Sequence, residues 1–179
     1  MKSSGKFELN GEVDVDEFMV GGFSLGKPGR SLEAKDLVVL AVEKVVNKKG
    51  ETALGRAYCK TIDDASAESL KIIFKEHISK QAKVKTDGWR DYWPLQKDWD
   101  IVKEKSDKGA NFPLIHTHIM NIKGWLRGIH HKCDSHRLQN YLDEYHFRFN
   151  RRSFLNSIFD KLITMAFGAR PPSRISSQP

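Results

Sequence analysis

Two aspartates near the start of the chain have the residue type and spacing of a metal site. Asp14 and Asp16 alternate with Val13 and Val15, upstream of a glycine pair at 21–22. Because successive side chains of a strand point to opposite faces, the aspartates share one face and the valines the other. No base or thiol lies in this stretch, so a carboxylate there needs a cation or water as its partner. We interpret Asp16 as the first ligand of a catalytic metal site; the alternative is a solvated residue on an exposed strand.

Asp87 is the second acidic residue that we expect at a defined point of the fold. It ends the segment 82–87, which we interpret as a short strand, and Gly88 after it permits a sharp turn. Residues 66–80 carry apolar side chains at helical spacing and follow several N-cap candidates at 63–66. Asp87 is therefore expected at the end of a strand that follows a helix.

Three further strands precede this helix. The segments 11–20, 37–42 and 52–60 are typical of strands, with a turn at 47–50, so they predict an antiparallel meander. A strand–helix–strand crossover normally runs parallel and right-handed. This order predicts an α/β, ribonuclease-H-like fold with a mixed sheet of about five strands flanked by helices. In that layout the ends of the first and fourth strands lie side by side, so the two aspartates there converge.

The second half of the chain predicts a short strand followed by helices. A short helix is expected to begin within 89–94, and Ile101–Val102 is a candidate fifth strand. Amphipathic helices are predicted at 113–128, 135–149 and 155–167, with Gly168 at the C′ position of the last. Residues 1–168 then form one domain, and residues 169–179 form a disordered tail.

The composition favours a globular protein with a polyanionic partner. The formal net charge is +7 and the isoelectric point is about 9.4, which indicates nucleic acid above all, with a generic basic surface as the alternative. A glycine-rich basic loop at 21–35 includes Lys27 and Arg30, and it either contacts DNA phosphates or is a plain surface loop. The four tryptophans are interpreted as core residues rather than as platforms for exposed bases.

Cysteine use and hydropathy exclude several classes of protein. Cys59 and Cys133 lie far apart in sequence, and we interpret them as two reduced thiols of a cytosolic protein. No apolar run approaches 18 residues, so no membrane span is expected, and the N-terminus lacks a secretory h-region. A histidine-rich group at 130–136 does not have the spacing of a zinc site. We favour a turn and helix start near DNA for that group.

Four motifs occur along the chain in an order that is typical of one family. They are V-D-E followed by G-G within Val15–Gly22, T-D-G-W at Thr86–Trp89, H-I-M-N-I-K-G-W-L-R-G at His118–Gly128, and Y-L-D-E-Y-x-F-R-F-N-R-R at Tyr141–Arg152. With these motifs the chain, from about Gly11 to about Phe167, resembles the catalytic domain of bacterial insertion-sequence transposases of the DDE superfamily. It is most similar to the group whose domain closes on the N-R-R signature.

The resemblance implies that Asp16 and Asp87 are the first two catalytic residues and metal ligands. The implied reaction is a water attack that frees a 3′-OH at the end of the element, after which the 3′-OH attacks target DNA without a covalent protein–DNA intermediate. Two Mg²⁺ or Mn²⁺ ions roughly 3.5–4 Å apart would neutralise charge on the attacking and leaving oxygens. Because Mg²⁺ prefers hard oxygen ligands and keeps several waters, two carboxylates plus substrate phosphate suffice.

The third catalytic position of this family is usually Glu but varies in this group and can be Asn. By resemblance it matches Asn121, whose neutral amide oxygen is a weaker ligand than a carboxylate, and Lys123 matches the basic residue that follows. The spacing between these two is short for the family. His116, His118 and Glu144 therefore stay open as candidates for the third position.

The resemblance also implies partners and a location. The residues expected to bind DNA are Lys85, Trp89, Lys123, Arg127, Arg151 and Arg152. The expected partners are double-stranded DNA, as transposon ends and as target, and further copies of the chain on that DNA. A cytoplasmic, nucleoid-associated location follows.

Transposases of this kind usually carry an N-terminal zinc ribbon or helix-turn-helix module that reads the ends of the element. This sequence starts almost at the first catalytic strand and has no C-x2-C pair, so we expect a truncated or split copy without that module. Two further functions stay open. One is a non-catalytic relic that binds DNA or full-length transposase, and the second is a different ribonuclease-H-like nuclease that acts on RNA–DNA hybrids.

Overall fold

The computed structural model describes residues 7–21, 35–105, 107, 110–130, 133–154, 158–160, 162–163 and 167. Among them, the strands are β1 (Glu12–Gly21), β2 (Lys35–Val46), β3 (Thr52–Ile62), β4 (Lys83–Thr86) and β5 (Asp100–Lys103). The main helices are α1 (Ala67–His77), α2 (Pro113–Ile129) and α3 (Ser135–Phe149). Short 3₁₀ helices span Arg90–Lys97 and Arg152–Phe154.

The strands form one mixed sheet in the order β3-β2-β1-β4-β5. β1, β2 and β3 are antiparallel neighbours, whereas β4 runs parallel to β1 and β5 runs parallel to β4. α1 makes the crossover that carries the chain from β3 back past β2 and β1 to β4. The predicted α/β, ribonuclease-H-like fold, with its meander and its parallel fourth strand, is confirmed.

Alternation along β1 divides its side chains between two cores. Val13 and Val15 pack with apolar residues of α1 on one face of the sheet. Phe18 and Val20 pack with α2 and α3 on the other face. Leu37–Val42 of β2 is buried along its whole length, because helices cover both faces of the sheet there. The sheet is therefore a central layer with helices on each side.

α1 ends at His77, earlier than the sequence predicts. Ile78 leaves the helical conformation, with φ of −112° and ψ of 122°, and pairs with Leu9. Leu9 N donates to His77 O at 2.7 Å, and Ser79 N donates to Leu9 O at 3.0 Å. Because this extended pairing satisfies the backbone groups, the helix does not continue toward residue 80.

The four tryptophans do not share one environment. Trp99 is buried and Trp125 is half-buried, whereas Trp89 and Trp93 are 40% and 54% exposed. The core interpretation is thus correct for Trp99 and wrong for Trp89 and Trp93. In the 3₁₀ helix that follows β4, Tyr92 and Leu95 take the buried positions, since residues three apart share a face in this geometry.

Several predictions fall wholly or partly outside the described residues. These are the loop at 22–34, Gly168 and the tail at 169–179. Of the last predicted helix, residues 158–160, 162–163 and 167 are described and are helical. Cys59 and Cys133 are free thiols. Within the described part of the chain, no helix is both long enough and apolar enough to cross a membrane.

Candidate active site

The parallel pairing of β1 and β4 makes Asp16 and Asp87 neighbours. The register pairs Val15 with Thr86, the last residue of β4, so Asp16 and Asp87 are the next residues along the two segments. Neighbouring strands lie about 4.8 Å apart, and both aspartates occupy the same face because the side-chain period is two. Both residues line one cavity of about 280 Å³. The structure therefore places the two carboxylates at a single site.

Acidic and apolar side chains line this cavity where β4 ends. The acidic residues are Asp16, Glu17, Asp64 and Asp87. The apolar residues are Phe18, Met19, Leu37, Ala65 and Trp89. The carboxylates make this end of the sheet negative, which suits a bound cation.

The conformation of Asp16 is fixed by contacts on both of its oxygens. Oδ1 accepts a hydrogen bond from the backbone N–H of Glu17 at 2.9 Å. Oδ2 lies 3.4 Å from Nε2 of His116, which is in the first turn of α2. The contact with His116 links half-buried Asp16 of β1 to α2.

Asp87 lies at a sharp turn that its own side chain stabilises. Gly88 has φ of 85°, a conformation that side chains other than hydrogen rarely permit. Asp87 Oδ1 accepts a hydrogen bond from Trp89 N at 3.0 Å. Trp89 Nε1 in turn donates to Asp91 Oδ2 at 2.6 Å. The T-D-G-W motif thus directs both the carboxylate and the indole toward the cavity.

A buried tyrosine lies behind the carboxylates. The Tyr92 hydroxyl donates to Glu17 Oε1. Burial raises the pKa of Tyr92 well above its usual value, and the charges of Glu17, Asp16 and Asp87 raise it further. The tyrosine is thus a neutral donor to Glu17, near enough to Asp16 and Asp87 for their charges to act on it. The sequence reasoning missed this role, although Glu17 belongs to the V-D-E motif.

Lys123 lies on α2 on the same side as His116. The two residues are seven apart, which is nearly two full turns of an α-helix. Lys123 Nζ lies 5.5 Å from the centre of the Phe18 ring. Burial lowers the pKa of Lys123, as does the charge of Arg127, whereas the charge of Asp16 raises it. His116, Lys123 and Arg127 therefore form one stripe of α2 beside β1.

Asn121, which the resemblance matched to the third position, lies elsewhere on α2. It follows His116 by five residues, which turns it about 140° around the helix axis. Its side chain is exposed, and it is not among the residues that line the cavity. The structure does not bring Asn121 together with the two aspartates.

His118 and Glu144, two more candidates for the third position, have partners elsewhere in the fold. His118 is fully buried, with Nε2 3.3 Å from His146 Nε2. Glu144 Oε1 lies 2.7 Å from Arg148 Nη2 in an i,i+4 ion pair on α3. Of the four candidates, His116 is the one in contact with Asp16. The sequence signal for His116 is its spacing of seven residues from Lys123, which puts the two side chains on the same side of α2.

Of the four acidic residues that line the cavity, Asp16 and Asp87 are the two that the resemblance assigns to metal ions. Among the described residues, no three His, Cys, Asp or Glu side chains are placed to hold a metal ion; the histidine-rich group at 130–136 lies partly outside these residues. The carboxylates of Asp16 and Asp87 nevertheless fit Mg²⁺, since this ion typically binds one or two carboxylates together with waters and substrate phosphates. The residues present fit a metal that is completed by substrate.

Asp14, the second member of the acidic pair on β1, has a structural environment. It is buried, and its Oδ1 lies 2.8 Å from Lys44 Nζ on β2. Burial raises the pKa of Asp14, and the hydrogen bond from Lys44 opposes this shift. Asp14 therefore pairs with Lys44 within the fold, whereas Asp16 lines the cavity, although the two residues share a face of β1.

Two of the arginines that were predicted to bind DNA contact the protein backbone. Arg151 Nη1 donates to Phe147 O at 3.1 Å. Arg152 Nη1 donates to Gly55 O at 3.1 Å, and its Nη2 donates to Leu54 O. Guanidinium groups engaged in this way have fewer donors left for phosphate.

Lys85 is the predicted DNA-binding residue that precedes Asp87 on β4. Its Nζ lies 3.3 Å from Glu104 Oε2, and both side chains are 39% exposed. An exposed ion pair of this kind contributes about 0–1 kcal/mol. Lys85 can therefore exchange Glu104 for a phosphate at little cost.

A family model for the ISXO2-like transposase domain matches residues 8–150. The match includes β1, β4 and α2, which position Asp16, Asp87 and His116. It ends at the first residue of the N-R-R signature. A search of curated proteins and a search of solved structures each found no match.

Proposed function

Because the chain belongs to the family of ISXO2-like transposase domains, we propose that it is the catalytic domain of a DNA transposase. In this proposal it hydrolyses phosphodiester bonds at transposon ends and joins the freed 3′-OH to target DNA. The observation that carries the proposal is the adjacency of Asp16 and Asp87 across β1 and β4, in one cavity. The two residues are far apart in the chain, but they bring two carboxylates to one place, and carboxylates can hold the metal ions that phosphoryl transfer uses.

Asp16 and Asp87 are the residues that would hold Mg²⁺ or Mn²⁺. Two such ions, when bound, would neutralise charge on the attacking and leaving oxygens of the phosphodiester. The fixed rotamers support this role, because each aspartate keeps one oxygen on a backbone N–H. The hydrogen bond from the Tyr92 hydroxyl fixes Glu17, a further carboxylate of the same cavity.

His116 takes the third position as a positioning residue in this proposal, in place of Asn121. With its Nε2 protonated, it donates toward Asp16 Oδ2, the oxygen that does not bond to Glu17 N. An imidazole is a poor ligand for Mg²⁺, which prefers oxygen. Orientation of a ligating carboxylate is therefore the role that best suits its chemistry.

Lys123 and Arg127 contact the DNA backbone near the cut in this proposal. They lie on the same stripe of α2 as His116, and Asp16 is close enough to influence the pKa of Lys123. Phosphate contacts of this kind fix the register of DNA on a protein but do not read its sequence. Lys85, on β4 two residues before Asp87, would add a further contact.

Double-stranded DNA, as transposon ends and target, is the proposed partner, and the chain would act as a homo-oligomer on it. The net charge of +7 supports a polyanionic partner. A cytoplasmic, nucleoid-associated location belongs to the same proposal.

The proposal is tested by cleavage and joining of DNA that carries the segments flanking the coding sequence. The wild-type protein is expected to cut and join this DNA with Mg²⁺ or Mn²⁺, and EDTA is expected to stop both steps. Asp87→Asn is expected to abolish both. Asp100→Asn is the matched control, because Asp100 is an exposed aspartate at the start of the neighbouring strand β5.

The same assay separates two competing functions. DNA binding without any metal-dependent cutting of DNA would overturn the proposal in favour of a non-catalytic relic. Cutting of RNA–DNA hybrids without joining would favour a different ribonuclease-H-like nuclease.

A further inference from the structure

Glu17 is a carboxylate of the cavity that the proposed reaction does not use. It follows Asp16 directly and lines the same cavity. Because alternate side chains of a strand point to opposite faces, Glu17 lies on the face of Val15, which packs toward α1, and not on the face of Asp16. Its neighbour across the ladder to β2 is Val39. A half-buried carboxylate beside apolar residues needs polar partners to offset its lost hydration.

The end of β4 opens both faces of β1 to the cavity. β4 stops at Thr86, which pairs with Val15, whereas β1 continues to Gly21. Beyond this point, side chains from both faces of β1 border one space: Asp16 and Phe18 come from one face, and Glu17 and Met19 from the other. Glu17 therefore borders the same space as Asp16 without sharing its face.

Tyr92 fixes the direction of the Glu17 side chain. The tyrosine is fully buried, and its ring packs against Phe74 with the ring centres 6.2 Å apart. Its hydroxyl donates to Glu17 Oε1. A carboxylate has about four acceptor positions, so Glu17 can accept more hydrogen bonds than the one from Tyr92. The core thus holds a charged acceptor at a set place in the cavity.

A second buried group indicates water on the Glu17 side of the sheet. Thr86 is fully buried and directly precedes Asp87. Its pairing with Val15 puts its side chain on the face that Val15 and Glu17 share. Within the described part of the chain, the Thr86 hydroxyl has no hydrogen-bond partner. Since buried polar groups usually bond to protein or to ordered water, water is the partner expected for this hydroxyl.

Resting on the proposed function, we propose that Glu17 is a positioning residue that accepts hydrogen bonds from water at the metal site of Asp16 and Asp87. Mg²⁺ usually keeps several of its waters, and these waters are hydrogen-bond donors that a fixed carboxylate can orient. Because no three acidic, histidine or cysteine side chains among the described residues are placed to hold one ion, Glu17 acts through water and not as a third ligand. Removal of such an outer partner typically weakens metal binding by about 10- to 100-fold.

The test is a titration of the protein with Mn²⁺ in the absence of DNA, in which electron paramagnetic resonance measures the free ion. The wild type is expected to bind Mn²⁺, and Asp16→Asn and Asp87→Asn are each expected to lose the site. Glu17→Gln keeps an oxygen for the Tyr92 hydroxyl and removes the charge, so it should weaken binding by about 10- to 100-fold. Tyr92→Phe leaves the carboxylate but removes the donor that fixes it, so it should weaken binding by a smaller factor.

Asp64→Asn is the matched control, because it removes the same charge from another carboxylate of the cavity. Asp64 Oδ1 accepts hydrogen bonds from Ser66 N at 3.0 Å and from Ser69 Oγ at 2.7 Å, which tie it to the start of α1. Asn keeps an oxygen for these bonds. The affinity for Mn²⁺ should therefore be nearly unchanged, and a loss equal to that of Glu17→Gln would show that only total charge matters and would overturn the role of Glu17.

Unchanged Mn²⁺ affinity in Glu17→Gln or in Tyr92→Phe, with the site lost in Asp16→Asn, would overturn the role of Glu17 and keep the metal site. A loss in Glu17→Gln as complete as in Asp16→Asn would make Glu17 a ligand itself and would also overturn it. Thermal melts check that each variant is folded, and Tyr92→Phe tests the role without altering Glu17.

The outcome is separate from that of the proposed reaction, because Mn²⁺ binding needs neither DNA nor catalysis. A protein with Glu17-dependent binding that never cuts DNA would contradict the proposed function and keep the role of Glu17 in metal binding. A wild type without Mn²⁺ binding that depends on Asp16 and Asp87 would overturn both the metal site and the role of Glu17.

Discussion

Asn150 forms two hydrogen bonds with the backbone of a single residue of β3, Ala57. Ala57 N donates to Asn150 Oδ1 at 2.9 Å, and Asn150 Nδ2 donates to Ala57 O at 2.9 Å. Among the described strands, β3 lies at the edge of the sheet, so its outer backbone groups do not pair with another of these strands. A side-chain amide that both donates and accepts replaces a neighbouring strand there. The first residue of the N-R-R signature therefore fastens α3 to the sheet.

Asn150→Ala is expected to lower the free energy of unfolding by about 1–3 kcal/mol, because it leaves a backbone donor and acceptor of β3 without partners. Urea denaturation followed by circular dichroism measures this change. Asn140→Ala is the control, because Asn140 is an exposed residue of α3, the helix that Asn150 caps. This substitution should change stability by less than about 0.5 kcal/mol. Equal effects of the two substitutions would contradict a structural role for Asn150.

The two aspartates of β1 are expected to respond differently to the same change. Asp14→Asn removes the charge that pairs with Lys44 in a buried position, so it should lower the free energy of unfolding by about 1–3 kcal/mol. Asp16→Asn should change stability by less than about 1 kcal/mol and abolish DNA cleavage. Thermal melts and cleavage assays on both variants measure this. A stable Asp14→Asn protein without activity would contradict the separation of roles.

His116→Ala is expected to reduce DNA joining by about 10- to 100-fold, the usual effect of removing a residue that orients a metal ligand. His116→Gln keeps an N–H donor and should recover part of the rate. Asn121→Ala should leave the rate nearly unchanged, because that side chain is exposed on another face of α2. The Mn²⁺ concentration needed for half-maximal joining should rise in His116→Ala. A larger loss of joining in Asn121→Ala than in His116→Ala would contradict a role for His116 at the third position.

Stability is expected to fall in mild acid because of two histidines buried between α2, α3 and β3. Burial lowers the pKa of His118 to about 4 and the pKa of His146 to about 3, against about 6.5 in the unfolded chain. The folded state thus binds protons less readily than the unfolded state. The contribution to stability is complete above pH 6.5. It is lost as the pH falls toward 4 for His118 and toward 3 for His146, by on the order of 2 kcal/mol per histidine at pH 5.

Urea denaturation at pH 7 and pH 5 measures this loss. His118→Leu removes one of the two groups, and His146 then keeps its bond to Leu142 O and its contact with Cys59. The difference in stability between the two pH values should therefore be smaller in His118→Leu than in the wild type. An unchanged difference would show that His118 does not carry the acid sensitivity.

The convergence of Asp16 and Asp87 could be predicted because it depends on chain order alone. A helix between two strands makes them parallel, so β4 returns alongside β1 in the sheet. Asp87 follows the last residue of β4 as expected, whereas Asp16 lies in the middle of β1, which continues to Gly21. The place of a side chain around α2 could not be predicted in this way. His116 and Asn121 are both polar and close in sequence, and the difference between them depends on which face of α2 packs on the sheet.

The roles of Arg151 and Arg152 could not be predicted for a different reason. Two adjacent arginines at the end of a basic helix have the composition of a DNA-binding site. Only the structure shows that carbonyl groups of edge strand β3 lie within reach of Arg152, at Leu54 and Gly55. The wrong environment assigned to Trp89 and Trp93 has another cause, since it came from the general tendency of tryptophan to be buried, which says nothing about a particular position.

The central claim is that Asp16 and Asp87 act together at one site, and a double-mutant cycle on DNA joining tests it most directly. The assay measures the rate at which a labelled oligonucleotide with a free 3′-OH is joined to target DNA in Mg²⁺. Asp16→Asn and Asp87→Asn should each lower the rate by about 1,000-fold or more, and the double variant should be no slower than either, because residues that act as a unit are not additive. Effects that multiply in the double variant, or near-wild-type joining by either single variant, would contradict a shared site.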